Sequence, residues 1–101
     1  MNVDYKSMAK KETYVPPHMR GAVIRWIENG IPMGSFGQTL ITGDLGAAAE
    51  RADHINIDHL DTFFNWFVEH APLGSYGQHS VTDEWKGLQN EQQRKSSRFF
   101  D

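Results

Sequence analysis

The sequence predicts an all-α fold: a compact, pseudo-symmetric bundle of about four helices built from a duplicated helix-turn-helix unit. Two observations support this prediction. Apolar residues recur at helical spacing in two stretches, one ending near Asn29 and the other near His70. A turn sequence that follows the first stretch returns almost unchanged 40 residues later. A chain of 101 residues has room for a single domain.

The repeat is clearest in the two turns. Gly34-Ser35-Phe36-Gly37-Gln38 matches Gly74-Ser75-Tyr76-Gly77-Gln78, and a proline stands two places before each, at Pro32 and Pro72. The apolar positions of the preceding helices also correspond: Val23, Ile24, Trp26 and Ile27 fall on Phe63, Phe64, Trp66 and Phe67. Five consecutive positions that differ only by Phe for Tyr indicate shared structure.

Two helices are predicted with the strongest patterns. The first runs from Pro17 or His18 to Asn29, since proline suits a first helical turn and Gly30 suits the left-handed residue that ends a helix. The second runs from Ile57 or Asp58 to His70, with Asn56 or Asp58 as its cap. Their apolar faces predict the core residues Val23, Trp26, Ile27, Phe63, Phe64 and Phe67.

Two shorter helical segments are predicted between these helices. One begins at Phe36, after a capping box formed by Ser35 and Gln38, and it ends at Gly43. The other runs from Leu45 to Ala52 with Asp44 as its cap. The sequence leaves open whether the two segments form one kinked helix.

The chain ends are predicted to differ from the helical body. Residues 1–15 are polar and expected to form a flexible N-terminal arm, residues 16–95 the single helical domain, and residues 96–101 a C-terminal tail. A last helix is predicted from Thr82 to Arg94, with Thr82 as its cap. Phe99-Phe100 has no predicted role.

The charge is mildly negative, with 10 basic and 13 acidic residues and a net charge of -3. This balance argues against a nucleic-acid-binding protein, which usually carries a basic face. From Gly30 to Asp83 the only lysine or arginine is Arg51, and the acids there are Asp44, Glu50, Asp53, Asp58, Asp61, Glu69 and Asp83. These acids form either an ordinary solvated surface or a patch for a basic partner.

No metal, cofactor or membrane segment is predicted. The absence of cysteine excludes disulfides, thiol catalysis and thiolate zinc sites. Glu50, Asp53 and His54 share one helix face, but the paired Glu-x-x-His motifs of di-iron carboxylate proteins do not occur. No apolar run approaches the ~20 residues of a membrane helix, so a cytosolic location is expected.

No catalytic residue is predicted, and we expect the protein not to be an enzyme. Ser35, Ser75 and Ser80 are the candidate nucleophiles, and His79 adjoins the last of them. Adjacency in sequence does not make a catalytic triad. The Gly-x-Ser-x-Gly sequence of a nucleophile elbow does not occur.

The repeated turns have a structural and a functional interpretation. In the structural one, proline ends a helix, glycine turns the chain, serine caps the next helix and the aromatic ring packs in the core. In the functional one, Gly34, Ser35, Gly74 and Ser75 present free N–H groups at two helix starts, where phosphate or a nucleotide can bind. The lack of lysine or arginine in either turn weighs against the second interpretation.

The turn sequences also resemble a known family. The stretches that carry the resemblance are His18 to Gly21, Trp26 to Gly34, Arg51 to Asn56 and Glu69 to Ser75. They are similar to an uncharacterised family of short tailed-phage and prophage proteins, over most of the range from His18 to Gln78. This resemblance implies a phage-encoded protein acting in the cytoplasm of a bacterial host, and it supplies no catalytic residues.

The expected function is therefore that of a small phage accessory protein that binds a host or phage protein. Inhibition of a host defence or a host enzyme is one form of this expectation, and a role in the virion or its assembly is another. The alternative is a small-ligand protein that binds phosphate or a nucleotide through the two Gly-Ser turns. The sequence predicts no oligomeric state.

Overall fold

The structure is a computed structural model, and it describes residues 3–82 and 85–90. The α-helices are α1 (Pro17–Asn29), α2 (Gly34–Ile41), α3 (Leu45–Arg51), α4 (Leu60–His70) and α5 (Gln78–Thr82). Two 3₁₀ helices span Tyr5–Ala9 and Asn56–His59. The described part of the chain contains no strand, which confirms the predicted all-α class. No helix in this part is both long and apolar enough to cross a membrane.

α1 has the predicted bounds. Pro17 is its first residue, where a missing N–H costs no helical hydrogen bond. Gly30 ends the helix in the left-handed conformation, with φ 70°, and its N–H donates to the carbonyl oxygens of Arg25 and Trp26. The buried side of the helix carries Val23, Trp26 and Ile27.

α2 and α3 are two separate helices, which settles the question left open by the sequence. Gly43 takes a φ of 84° between them, a conformation that other residues rarely adopt. Asp44 caps α3 as predicted, since its Oδ1 accepts a hydrogen bond from the N–H of Ala47 at 3.0 Å. α3 ends at Arg51, one residue before the predicted end.

α4 is preceded by a 3₁₀ turn that the sequence did not predict. Neither Asn56 nor Asp58 caps α4, which begins without a side-chain cap. Asp53 instead stabilises the turn before the 3₁₀ helix, where its Oδ1 accepts from the N–H of Ile55 at 3.0 Å and of Asn56 at 2.7 Å. The α-helix therefore starts at Leu60, slightly later than predicted.

The core lies between α1, α2 and α4. Its rings pack by stacking and by edge contact: the Phe63 and Phe67 centroids are 6.2 Å apart, and those of Trp66 and Phe67 are 5.2 Å apart. Among the predicted core residues, only Phe64 is half-buried rather than buried. The buried hydrophobic residues are Met8, Val15, Val23, Trp26, Ile27, Phe36, Leu40, Ile41, Ala48, Phe63, Trp66 and Phe67.

The predicted flexible arm at residues 1–15 is corrected by the structure for residues 3–15. Met8 and Val15 belong to the core, and both are almost fully buried. The indole Nε1 of Trp66 donates to the Oγ of Ser7 at 2.7 Å, which satisfies two buried polar groups at once. Arg20 holds the segment from α1, since its Nε donates to the carbonyl oxygen of Val15 at 2.8 Å.

The last predicted helix, Thr82–Arg94, is wrong within the described residues. Thr82 ends α5 instead of capping a new helix, and residues 85–87 are not helical. Gly87 has a φ of 98°, and a Cβ on it would lie 2.6 Å from the Cα of Asn29. A φ of 98° is incompatible with α-helical backbone, so the predicted helix is interrupted at Gly87, where the chain lies against the end of α1. Helical backbone resumes at residues 88–90, and the rest of the prediction lies outside the described residues.

The two repeat units agree in their first helices and diverge in their turns. Trp26 and Trp66 are both buried, and Gly34 and Gly74 both have positive φ, 83° and 97°. The helix after the turn begins at Gly34 in the first unit and only at Gln78 in the second. The two units therefore share the buried tryptophan and the positive φ of the turn glycine, whereas the ends of their first helices and the starts of their second helices differ.

Neither repeated serine is the helix cap that the sequence predicts. Ser35 is exposed inside the first turn of α2, which has no side-chain cap. Ser75 is fully buried, and its Oγ donates to the carbonyl oxygen of Pro72 at 2.7 Å. The two matched residues thus perform different structural tasks.

Alanine substitution at the two serines is expected to separate these tasks. Ser75→Ala removes a buried hydrogen bond and should lower the free energy of unfolding by ~1 kcal/mol or more. Ser35→Ala should change it by less than ~0.5 kcal/mol, because the residue is an exposed helical position that alanine favours. Urea unfolding of the two variants measures both values, and equal losses would contradict this assignment.

Candidate functional site

A groove of about 340 Å³ lies at the C-terminal end of α1, partly open to solvent. α1, α2, α5 and the segment 85–90 all contribute to its wall. The lining residues are Trp26, Asn29, Gly30, Pro32, Gln38, Ser80, Val81, Trp85, Lys86 and Asn90. Its volume is within the range of protein ligand-binding clefts, at the small end.

Hydrogen bonds from two tryptophan side chains hold the wall of the groove in place. The Nε1 of Trp85 donates to the carbonyl oxygen of Trp26 at 2.9 Å. The Nε1 of Trp26 donates in turn to the carbonyl oxygen of Ser75 at 2.8 Å. These bonds join the segment 85–90 to α1 and α1 to the second turn, so the wall is built from three parts of the chain.

Two glycines allow the backbones to meet behind this wall. A Cβ on Gly30 would lie 2.7 Å from the carbonyl carbon of Lys86, closer than real side chains approach. A Cβ on Gly87 would lie 2.6 Å from the backbone nitrogen of Asn29. Both glycines have positive φ, so any other residue is disfavoured at these positions by conformation as well as by space.

Exposed apolar side chains lie in and beside the groove. Val81, in its wall, is 43% exposed, and Ile31, between two lining residues, is 48% exposed. Leu73 is 83% exposed, and it adjoins Gly74, where a Cβ would lie only 3.1 Å from the Trp85 ring. Large apolar side chains left in water around a cleft are typical of a surface that another molecule covers.

The groove differs in charge from the rest of the helical body. Its described lining contains no carboxylate, and Lys86 is the one charged residue of that lining. The other polar members are neutral: Asn29, Gln38, Ser80 and Asn90. An apolar side chain with a few hydrogen-bonding neighbours therefore suits the groove better than a cation, which would lose hydration there without gaining a counter-ion.

The four residues of the alternative ligand-binding prediction do not line this groove. Gly34 and Ser35 are exposed at the start of α2. Gly74 packs against Trp85, and Ser75 is fully buried. The N–H and the hydroxyl of Ser75 both donate to the carbonyl oxygen of Pro72, at 3.2 and 2.7 Å, so neither is presented to an anion. The hydrogen-bonding groups of Ser75 are therefore used within the turn.

Asp53, an acidic residue that follows α3, makes a structural contact with α1. The Oδ2 of Asp53 lies 3.0 Å from the Nε2 of His18, which ties the start of α1 to the turn before α4. His54 is exposed nearby, and Glu50 is exposed on α3. Within the described residues, no group of three or more His, Cys, Asp or Glu side chains is placed to hold a metal ion.

Among the described residues, two ionisable groups have a clearly shifted pKa. The pKa of Asp53 is lowered, chiefly by the hydrogen bond from the N–H of Asn56 and further by His18. Burial raises the pKa of Tyr5 to about 12, and the hydrogen bond from its hydroxyl to Glu28 adds to this effect. Both groups stabilise connections within the fold and lie outside the groove lining.

Asp53→Asn is expected to reduce the loss of stability in acid. A carboxylate whose pKa is lowered on folding stabilises the protein above about pH 4, and this contribution is lost as the pH falls through the folded pKa. The variant keeps an oxygen that can accept the two turn hydrogen bonds but loses the charge, so it should be less stable than the wild type at pH 7 and should approach it at pH 3. Urea unfolding at both values tests this, with the exposed Asp58→Asn as control.

Comparisons with protein-family models, with curated proteins and with solved structures found no match to this chain.

The sequence contained only a partial signal for the groove. Trp85 falls within the helix predicted from Thr82 to Arg94, and the sequence did not identify Gly87, two residues later, as a contact point with α1. The signal against a helix in this stretch is Gly87, a residue that often interrupts a helix and that lies here outside any strong apolar period. Val81 and Lys86 gave no signal of their own, because their role arises only from tertiary contact.

Proposed function

We propose that this protein acts by binding another protein, and that the groove at the end of α1 receives an apolar side chain of that partner. The observation that carries the proposal is the coincidence of a formed cleft with exposed apolar residues, Ile31, Leu73 and Val81. Tryptophan is enriched at the energetic centres of protein interfaces, where polar residues surround it.

The preformed wall favours binding without a large rearrangement. Trp85 and Trp26 are held by hydrogen bonds, and the glycine contacts behind them leave the backbone little freedom. A partner that meets an ordered surface avoids the free-energy cost of ordering it, which is the main advantage of preorganisation. The partner's apolar group would lie against Trp85 and Val81, with the amides of Asn29 and Asn90 at the edge.

The biological setting of the proposal comes from the sequence resemblance. In a phage-encoded protein the partner would be a host protein, such as a defence protein or an enzyme, or a phage protein. The host cytoplasm would be the site of action.

Affinity capture from a bacterial host lysate, followed by measurement with the purified partner, tests the proposal. Val81→Lys places a charge in the wall of the groove and should weaken binding at least tenfold, because an ammonium there has no counter-ion among the described lining. The matched control is Val68→Lys on α4, where the valine is 49% exposed and does not line the groove.

The two variants give a clear decision. Loss of binding in Val81→Lys with normal binding in Val68→Lys would support the groove as the site. Equal binding by both variants and the wild type would reject it. Circular dichroism of each variant establishes that a loss of binding does not reflect unfolding.

A further inference from the structure

The wall of the groove contains a hydrogen-bond acceptor that no donor satisfies. Gln38 is the one described lining residue that comes from α2, and its side chain is half-buried. Its Oε1 is shielded from solvent and accepts no hydrogen bond from the described residues. Most buried polar side-chain atoms are hydrogen-bonded, because an unpaired one destabilises the fold. The protein therefore keeps at this position a group that costs it stability.

The position of Gln38 gives this acceptor its meaning. In the described part of the chain, the Oδ1 of Asn56 is also buried and unpaired, but Asn56 lies in the 3₁₀ helix before α4 and does not line the groove. At Gln38 the unpaired acceptor coincides with a cleft that is open to solvent. The terminal torsion of glutamine is soft, so a small rotation brings Oε1 to a donor placed in the groove.

The rest of the wall restricts which side chain can bring that donor. Trp85 is half-buried and Val81 is 43% exposed, so both offer apolar surface to the groove. A small polar side chain would satisfy Gln38 but would leave these two residues in water. A cation would lose its hydration without meeting a carboxylate in the described lining. An aromatic ring covers the apolar wall, and it packs favourably against an indole.

We propose that the partner's side chain in the groove is a tyrosine, with its ring against Trp85 and Val81 and its hydroxyl donating to the Oε1 of Gln38. This inference rests on the proposed function, since it requires that the groove receive a side chain of another protein. The hydroxyl of tyrosine lies at the end of the ring farthest from the backbone, so it enters a cleft first and reaches a buried acceptor. Tryptophan carries its N–H on the side of its ring, and phenylalanine and leucine carry no donor.

The N-acetyl amides of single amino acids test this choice of side chain without the partner. The derivatives of tyrosine, O-methyltyrosine, phenylalanine and tryptophan are titrated into the full chain. The NMR shifts of the Val81 N–H and of the Trp85 indole N–H report occupation of the groove. The tyrosine derivative should bind about three- to tenfold more tightly than those of phenylalanine and O-methyltyrosine, which is the factor expected for one hydrogen bond.

Two variants assign the preference to Gln38. In Gln38→Leu the derivatives of tyrosine and phenylalanine should bind equally, whereas Asn29→Ala, which removes an exposed amide of the same lining, should keep the preference. Replacing an unpaired buried acceptor by an apolar group should also leave the urea midpoint of Gln38→Leu at or above that of the wild type. A clearly lower midpoint would mean that the fold itself needs this amide, and it would contradict the inference.

The results distinguish this inference from the proposed function. A tyrosine preference that disappears in Gln38→Leu would support the inference. Equal affinity of the wild type for tyrosine and phenylalanine derivatives, or tightest binding of the tryptophan derivative, would overturn it while the groove remained a site for an apolar side chain. Absence of shifts at Val81 and Trp85 with every derivative would overturn both.

Discussion

Deletion of residues 1–15 is expected to unfold the protein or to leave it barely stable. Met8 and Val15 are almost completely buried, and each such side chain contributes about 1.5–3 kcal/mol by burial. Removal of Ser7 also leaves the Nε1 of Trp66 without its partner, at a cost of about 1–3 kcal/mol. The sum, roughly 4–9 kcal/mol, is comparable with the whole stability of a small domain.

Circular dichroism and urea unfolding of the truncated chain measure this effect. Met8→Ala alone should cost about 2–5 kcal/mol, whereas Lys10→Ala, at an exposed position of the same segment, should cost less than about 0.5 kcal/mol. A truncated chain with the same unfolding midpoint as the wild type would restore the flexible-arm prediction.

The N-terminal segment shows where local sequence patterns reach their limit. Residues 3–15 have no sustained apolar period, so no amphipathic element is visible in them. Their burial depends on single contacts with distant residues, such as Ser7 with Trp66 and Tyr5 with Glu28. Contacts of this kind leave no periodic signal in the sequence.

The helices of the core were predictable for the opposite reason. α1 has a proline at its first position, an apolar stripe and a glycine after its last residue, and all three signals agree. The repeat identified Trp66 as the counterpart of Trp26, and both are buried. Helix propensity, apolar pattern and capping residues are sufficient to predict a helix whose stability depends mainly on its apolar face and its two ends.

The repeated turns show that equal sequence does not ensure equal structure. Gly34 and Gly74 share a positive φ, yet Ser35 is exposed and Ser75 is buried. The difference comes from what covers the second turn: Trp26 donates to the carbonyl oxygen of Ser75, and Trp85 lies against Gly74. Trp66 is the counterpart of Trp26 in the repeat, but its Nε1 donates to Ser7 rather than to the first turn. This difference arises from tertiary packing and is not visible in the repeated sequence.

Phe67→Ala is expected to cost ~3–5 kcal/mol of unfolding free energy. The side chain is fully buried, it stacks on Phe63, and it meets the edge of Trp66. Truncation removes the transfer free energy of the ring and leaves a cavity between rigid aromatic neighbours that cannot easily collapse into it. Phe64→Ala, at a half-buried position on the same helix, should cost less.

The repeat adds a second arm to this experiment. Ile27 matches Phe67 at the same place in the first unit, and it is also fully buried. Ile27→Ala should therefore cost ~2–5 kcal/mol, the range for truncating a buried isoleucine. Urea unfolding of the three variants gives the order of the losses. A cost below about 1 kcal/mol for Phe67→Ala would mean that this face of α4 is not packed in the core. The same result for Ile27→Ala would contradict the conclusion that the matched positions of α1 and α4 both pack in the core.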